Sequence, residues 1–497
     1  MHDVKRILLV EPKTRTSYPP LGLMKIGTYH RLLGDDVKYV IGKNSQARDD
    51  WWDKIYITSV FTYDFTTLVD TVKYYRANLA NIDNVQVGGI SASLLHNKLY
   101  QETGIRPTIG LLDSADRMLE SISHDNPEFK YLIDCGASID NLPPAYDIFG
   151  DGYPRYSKIL DNSYLMFTTK GCPNNCSFCA VKTLEPNYKD YLPLVPRINY
   201  IAKRWGEKPG LLLLDNNIAA SNSYDRILDE IYDCGFEKGA KIAITKDGRK
   251  YYKQRFVDFN QGVDLRKMDR HKMEKMARIA IKPLRLAFDS FDLASEYEEK
   301  ARLAIDCGIE SLSNYMLYNY KDSPDELYLR FETNMTILSG NQHVKIFSFP
   351  MRYSPVTKIH RKYIGDLWTR REVRAVQIIL NATHGIVSHN KKFFHHAFGH
   401  DVNHFRRILL YPYSYIINRV FYENAPGYID AWELAYAKLS ANEAAEFKSL
   451  IADGPLAVIK RNANSKINEL LRHYEGENSK VLLKSVSEQS NEFQTCR

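Results

Sequence analysis

Cys172, Cys176 and Cys179 stand in the run Thr168-Thr-Lys-Gly-Cys-Pro-Asn-Asn-Cys-Ser-Phe-Cys179, on a loop just after the apolar run Leu165–Phe167. The spacing is Cys-x3-Cys-x2-Cys. Thiolates are soft ligands, and three so close in sequence can converge on one soft metal centre. A cubane iron–sulfur cluster has one more iron than three cysteines can ligate, so one iron stays open to a substrate or cofactor. Four-cysteine patterns instead close a cluster for electron transfer. Two other readings stand beside this one: a zinc knuckle that borrows a histidine, and three unrelated buried thiols. Zinc knuckles favour paired Cys-x2-Cys units, and no second pair lies downstream.

On these residues the chain resembles the radical S-adenosylmethionine (SAM) superfamily, whose motif is this spacing with an aromatic residue before the last cysteine, here Phe178. The resemblance implies a [4Fe–4S] cluster on Cys172, Cys176 and Cys179, with SAM chelated at the open iron through its amino and carboxylate groups. It further implies reductive cleavage of SAM to a 5′-deoxyadenosyl radical, oxygen sensitivity, and an external reductant such as flavodoxin or ferredoxin. The branch it resembles carries a cobalamin-binding-type domain before the radical core. Pro19-Pro-Leu-Gly-Leu23, Val87-Gly-Gly-Ile-Ser-Ala-Ser93 and the linker Asn141-Leu-Pro-Pro-Ala-Tyr-Asp147 match that branch, so the resemblance covers residues 1 to about 355. The Asp-x-His-x-x-Gly signature of histidine-ligated cobalamin is missing from the domain's His2, His30, His96 and His124. Its single Cys135 argues against a second cluster of the methylthiotransferase kind.

The elements that must position this loop follow from periodicity. Arg6–Val10, Val37–Ile41, Ile55–Phe61 and Val85–Gly89 read as strands with helical stretches between them, which is a doubly wound, Rossmann-like parallel sheet over residues 1–150. Proline presets the helical φ where Pro19-Pro20 opens the first helix. Six more strand runs follow: Leu165–Thr169, Leu211–Asp215, Val257–Gln261, Leu284–Asp289, Asn314–Asn319 and Val344–Phe349. Alternating with helices over residues 151–355, they predict a partial (β/α)6 TIM barrel. Residues 237–254 are polar and basic and read as an insertion. Residues 356–497 read as a mainly helical domain, with helices near Thr369–Leu380, Ile429–Leu439 and Ala441–Ile451 and a frayed tail over Glu475–Arg497. The fold class is α/β throughout its first two parts.

In parallel barrels the working residues sit where strands end. Asp215 and Asn216 end the second strand, where the resemblance places acceptors for SAM's ammonium; a helix N-cap is the competing role. Gln261 and Arg266 follow the third strand, as contacts to SAM or substrate. Asp289 ends the fourth and would take ribose hydroxyls or cap a helix. Arg330 matches a helical arginine of the branch and would pair with the SAM carboxylate or form a structural ion pair. Arg352 follows the sixth strand and would hold an anionic group.

Composition bounds the partners. The 497 residues, 44% of them hydrophobic, are ample for several cores. No apolar run of membrane-spanning length is present, and cysteine usage fits a reducing cytoplasm. The net charge of +7 is uneven: residues 352–420 hold 12 Lys/Arg against 3 Asp/Glu, with 7 of the 14 histidines. That block suggests a nucleic acid or another anionic substrate contacted by Arg406 and Arg407, or else a salt-bridged helical surface. His396, His400 and His404, at i, i+4 and i+8 beside His395, would share a helical face as core or surface histidines, a substrate site or a metal site. Phe393, Phe394, Phe398 and Phe405 would interleave with them as stacking platforms. Two alternatives to the main reading follow: a cobalamin-dependent methyltransferase on a small molecule or peptide, and a nucleic-acid-binding protein with a structural cluster.

Overall fold

A computed structural model describes residues 3–77, 84–112, 138–150, 154–246, 249–453 and 462–475. His2, His124, Cys135, Cys496 and the expected tail beyond Glu475 lie outside them. The chain forms two compact units, one from residues 1–285, 306–309 and 355–361, the other from 286–305, 310–354 and 362–497.

In the first unit, β1 (Arg6–Glu11), β2 (Asp36–Ile41), β3 (Lys54–Thr58) and β4 (Val85–Gly88) make a parallel sheet in the order β2-β1-β3-β4. Successive side chains of a strand point to opposite faces. Leu8, Val10, Ile55, Ile57, Val85 and Val87 thus share one core with Phe65, Leu68 and Val72 of the helix Phe65–Arg76. Leu9 faces the other way, against the helix Leu21–Leu32, where Gly27 admits close contact. Sheet order reverses between β1 and β3, which is where open α/β sheets form a ligand crevice at their C-terminal edge. At that edge, past β3 and β4, the buried Ser59 and Ser91 hydroxyls have no hydrogen-bond partner among the described residues.

A second parallel sheet of the same unit, in the order β5-β6-β9, contains β5 (Ser163–Met166), β6 (Gly210–Leu213) and β9 (Phe256–Phe259). The helices Val195–Trp205 and Tyr224–Asp233 connect them. Between the second of these helices and β9 stands an antiparallel hairpin, β7 (Lys241–Lys246) and β8 (Arg249–Gln254), within the segment expected only as a polar insertion.

In the second unit, β10 (Leu284–Ala287), which starts in the first, joins β11 (Ser311–Tyr318) and β12 (Lys345–Arg352) in the order β10-β11-β12, with β11 and β12 parallel. Each of the six strand runs expected from sequence falls on an observed strand. The helices Pro324–Ser339, Arg370–Ala382 and Ala441–Ile451 all open with capping boxes, from Ser323/Glu326, Thr369/Glu372 and Ser440/Glu443.

The histidine run is not one helix. Gly399, at φ 97°, ends the helix Lys391–Phe398, and Asp401 caps a new one, Val402–Leu410. His396 turns to Glu423 at 3.0 Å, while His400 and His404 stack at 5.6 Å. Phe394, Phe398 and Phe405 are core residues against Tyr328 and Phe331, which corrects their reading as stacking platforms; Phe393 alone of the four is exposed.

Arg330 is fully buried (0% exposed) and structural. Its Nε donates to the Glu326 carbonyl, Nη1 to those of Phe288 and Leu317, and Nη2 to Asp322 Oδ2 at 2.6 Å. Four of its five N–H donors are engaged and none of the side chain is exposed, so it is not presented to a ligand carboxylate. Removing one partner of a buried ion pair strands the other. Arg330→Met is therefore expected to lose about 3–5 kcal/mol of stability, read as a lower urea midpoint for the second unit's unfolding.

Candidate metal centre

The cysteine loop leaves β5 at Met166, and its first turn is held from β6. Asp215, two residues past β6 and fully buried, accepts from the Thr168 amide (2.9 Å) and hydroxyl (2.6 Å), the Thr169 hydroxyl (2.8 Å) and the Thr169 amide. Burial pushes this carboxyl up, and the threonine donors pull it the other way. Asp215 is thus turned into the loop rather than open to a ligand's ammonium, a correction to its expected role.

Lys170 pairs with Lys189 through both backbone bonds, at 3.1 and 2.9 Å. Gly171 then takes φ 72°, where a Cβ would lie 2.7 Å from the Asn187 carbonyl oxygen, so only glycine fits. Glu185 gathers the next contacts: its Oε2 accepts from the Gly171 amide at 2.6 Å and from Asn216 Nδ2 at 2.8 Å. Asn216 is therefore tied to the loop as well.

The sulfurs meet donors. Asn217, almost fully buried, directs Nδ2 to Cys172 Sγ at 3.4 Å, and its Oδ1 is buried without a hydrogen-bond partner. Tyr188 donates to the Asn217 carbonyl at 3.0 Å. Past β9, Asp264 accepts from Asn174 Nδ2 at 2.7 Å and from Arg266 Nε at 2.8 Å. Burial pushes the Asp264 carboxyl up, but Arg266 and Asn174 outweigh it and hold it below the carboxylate range. Arg266 also interacts with Cys176. Cys179 is exposed and closes a turn through its amide to the Cys176 carbonyl at 3.0 Å. Phe178 is half-buried between them, and Gln261 is exposed in the turn after β9.

The first unit therefore brings together Cys172, Cys176, Cys179, Asp215, Asn216 and Arg266 around one loop. Sequence reasoning missed Glu185, Tyr188 and the donor role of Asn217, although Asn217 follows directly on the polar pair at the end of β6. Among the described residues no three His, Cys, Asp or Glu side chains meet closely enough to hold a single metal ion. A cluster is a different demand, because its thiolates surround a volume rather than a point. A donor set of three thiolates, met by an amide and a guanidinium, fits such an anionic group.

A buried charge network backs the loop. The Lys25 and Lys170 ammoniums both bind Asp140 and flank the Phe167 ring, at 4.9 and 4.2 Å from its centre. Burial drives the Asp140 carboxyl up, but the two lysines more than reverse this. Burial pushes Lys25 down to about 8, against the pull of Asp140.

In the second unit, Asp289 is half-buried and accepts from the Leu317 amide at 3.2 Å. Arg352 Nη2 donates to the Tyr363 carbonyl at 3.0 Å. Arg406 is paired with Asp325 (Nε to Oδ1, 2.6 Å) and Arg407 with Glu433 at 2.8 Å. The charge of these two arginines is thus balanced within the fold.

No protein-family model matches the chain, and no curated protein matches it. Two solved structures of the radical S-adenosylmethionine methyltransferase TsrM from Kitasatospora setae are similar to part of it. The one with cobalamin and a [4Fe-4S] cluster has a TM-score of 0.46 at 14% identity, over 67% of this chain and 73% of its own. The one with tryptophan and a SAM analogue has 0.47 at 14%, over 67% and 71%. A likeness of this degree carries no argument about activity.

The Lys25 network makes a signed prediction. The unfolded amine keeps its proton to its ordinary value of 10.5, while the folded one loses it near 8. Between those values the unfolded chain holds more protons, so stability contributed by this group rises with pH. Urea midpoints at about pH 7.5 and 9.5 should show wild type gaining on Lys25→Met across that interval.

Proposed function

We propose that the chain is a radical SAM enzyme, with Cys172, Cys176 and Cys179 holding a [4Fe–4S] cluster. The observation that carries this is the loop itself: three thiols at that spacing, braced from β6, with Asn217 on Cys172 and Arg266 against Cys176. When bound, the cluster supplies an electron that cleaves SAM to a 5′-deoxyadenosyl radical, and that radical attacks an unreactive C–H bond. The chain's own residues do the rest. Asp215 and Glu185 fix the loop, Asn217 and Arg266 offset thiolate charge, and Phe178 and the exposed Gln261 border the open side. Asp289 and Arg352 are proposed contacts for the cofactor and an anionic substrate. The same reading arranges the six parallel strands and their helices as the partial (β/α)6 TIM barrel of residues 151–355. A cobalamin-binding-like domain at 1–150 precedes it, and a helical domain at 356–497 follows. Flavodoxin or ferredoxin would supply the electron in a reducing cytoplasm; among the described residues no helix is long and apolar enough to cross a membrane.

A second reading, the cobalamin-dependent methyltransferase on a small molecule or peptide, is favoured by one observation. The buried hydroxyls of Ser59 and Ser91, partnerless among the described residues, lie at the C-terminal edge of the first sheet, past β3 and β4. Buried polar groups left without partners are costly, and a bound ligand there would satisfy them.

The test uses anaerobically reconstituted protein with SAM and dithionite, assaying iron, 5′-deoxyadenosine and S-adenosylhomocysteine with and without cobalamin. Deoxyadenosine alone, lost in Cys176→Ala together with the iron, is the expected result. Both products, and only with cobalamin, would establish the methyltransferase. Neither product from an iron-replete, SAM-bound protein would move the reading to a nucleic-acid-binding protein with a structural cluster.

A further inference from the structure

The hairpin β7–β8 carries a dense run of cations. Residues 241–255 hold six Lys/Arg (Lys241, Lys246, Arg249, Lys250, Lys253 and Arg255) against one acidic residue, Asp247. Lys253 bonds Asn162 and Arg255 pairs with Glu207, which fasten the hairpin to the unit. Lys241, Arg249 and Lys250 form no ion pair among the described residues, in contrast to Arg406, Arg407 and Arg419.

Register decides which side chains share a face. Lys241 lies opposite Gln254 and Ala243 opposite Tyr252, and Lys250 is two residues before Tyr252, so these residues share one face. Ile242 and Ile244 are on the other, where Ile242 is buried. On the first face Tyr252 is 67% exposed, with the Lys250 ammonium 5.6 Å from its ring centre. On the second, Tyr251 is 49% exposed. An open tyrosine flanked by unneutralised lysines is the pairing that takes a base on its ring and phosphates on its cations. A strand of another protein is a poorer occupant, because lysines along a hairpin's edges oppose strand addition.

We propose that this hairpin is an anchoring site for single-stranded nucleic acid. Its position makes it an anchor rather than a reaction site. Asn162, Glu207 and Arg255 precede β5, β6 and β9, whereas the cysteine loop, Asn217 and Arg266 follow them. In a parallel sheet those are opposite edges, separated by strands of about 13 Å at 3.3 Å per residue. The proposal goes beyond the radical chemistry and does not depend on it.

Fluorescence anisotropy of a fluorescein-labelled single-stranded RNA of about 20 nucleotides, titrated with the full chain between about 50 and 200 mM salt, reads it. Lys241→Glu with Lys250→Glu is expected to weaken binding at least about tenfold and to flatten the log–log salt slope by about 1.4, two phosphate contacts at about 0.7 each. Tyr252→Ala should weaken binding about tenfold and leave the slope unchanged. Lys391→Glu with Lys392→Glu, in the basic C-terminal block, should stay within about threefold of wild type. Absence of binding at the lowest salt, or loss only in the Lys391/Lys392 variant, would overturn the proposal. So would polyglutamate bound as tightly and lost in the same hairpin variant, which would mark an acidic protein as the partner. Cys176→Ala protein should bind the RNA as wild type does, so failure of the cluster chemistry and failure of the anchor are told apart.

Discussion

A buried carboxylate is tolerated only where donors surround it, and Asp215 has that surround in the backbone and side chains of Thr168 and Thr169. This one arrangement ties the end of β6 to the exit of β5. It fixes the direction in which the chain leaves the sheet, and everything in the thiol loop is then reached by short steps. Gly171 turns with a backbone no other residue could share, Glu185 catches its amide, and the loop returns past Asn217 and Arg266. The register of β5 on β6, with Met166 beside Leu213, is what sets Asp215 within reach.

The strands were legible because their signal is local. Leu211–Leu214 is an apolar run between Gly210 and Asp215, Leu284–Phe288 is apolar but for Arg285 between Pro283 and Asp289, and a strand forms in each. The capping boxes at Ser323, Thr369 and Ser440 are equally local, four consecutive residues each. What stayed hidden depends on contacts between distant residues. Glu185 is 14 positions beyond the amide it accepts from, and Lys25 and Asp140 are separated by 115. No periodicity joins such positions. Hairpin β7–β8 stayed hidden for the opposite reason. It buries little, so its sequence carries no clear apolar alternation and reads as polar insertion.

Charge balance is hidden in the same way. A count over residues 352–420 sees the cations but not the carboxylates that reach them from elsewhere: Asp325, Glu433 and Glu423 answer Arg406, Arg407 and Arg419. Exposed pairs of this sort contribute little stability individually. They do cancel field, whereas Lys241, Arg249 and Lys250 of the hairpin form no ion pair among the described residues. The phenylalanines beside those arginines went inward for a plain reason: burying a large aromatic ring outweighs leaving it as an open platform.

Glu185, Asp215 and Asp264 all lie later in the chain than the thiols they organise. A polypeptide is made from its N-terminus, so the three cysteines emerge from the ribosome before these three carboxylates exist. Until β6 and β9 have been synthesised and paired, the thiol loop has no defined shape to offer an iron–sulfur donor. On the proposed reading, the cluster would be received only after the sheet has closed.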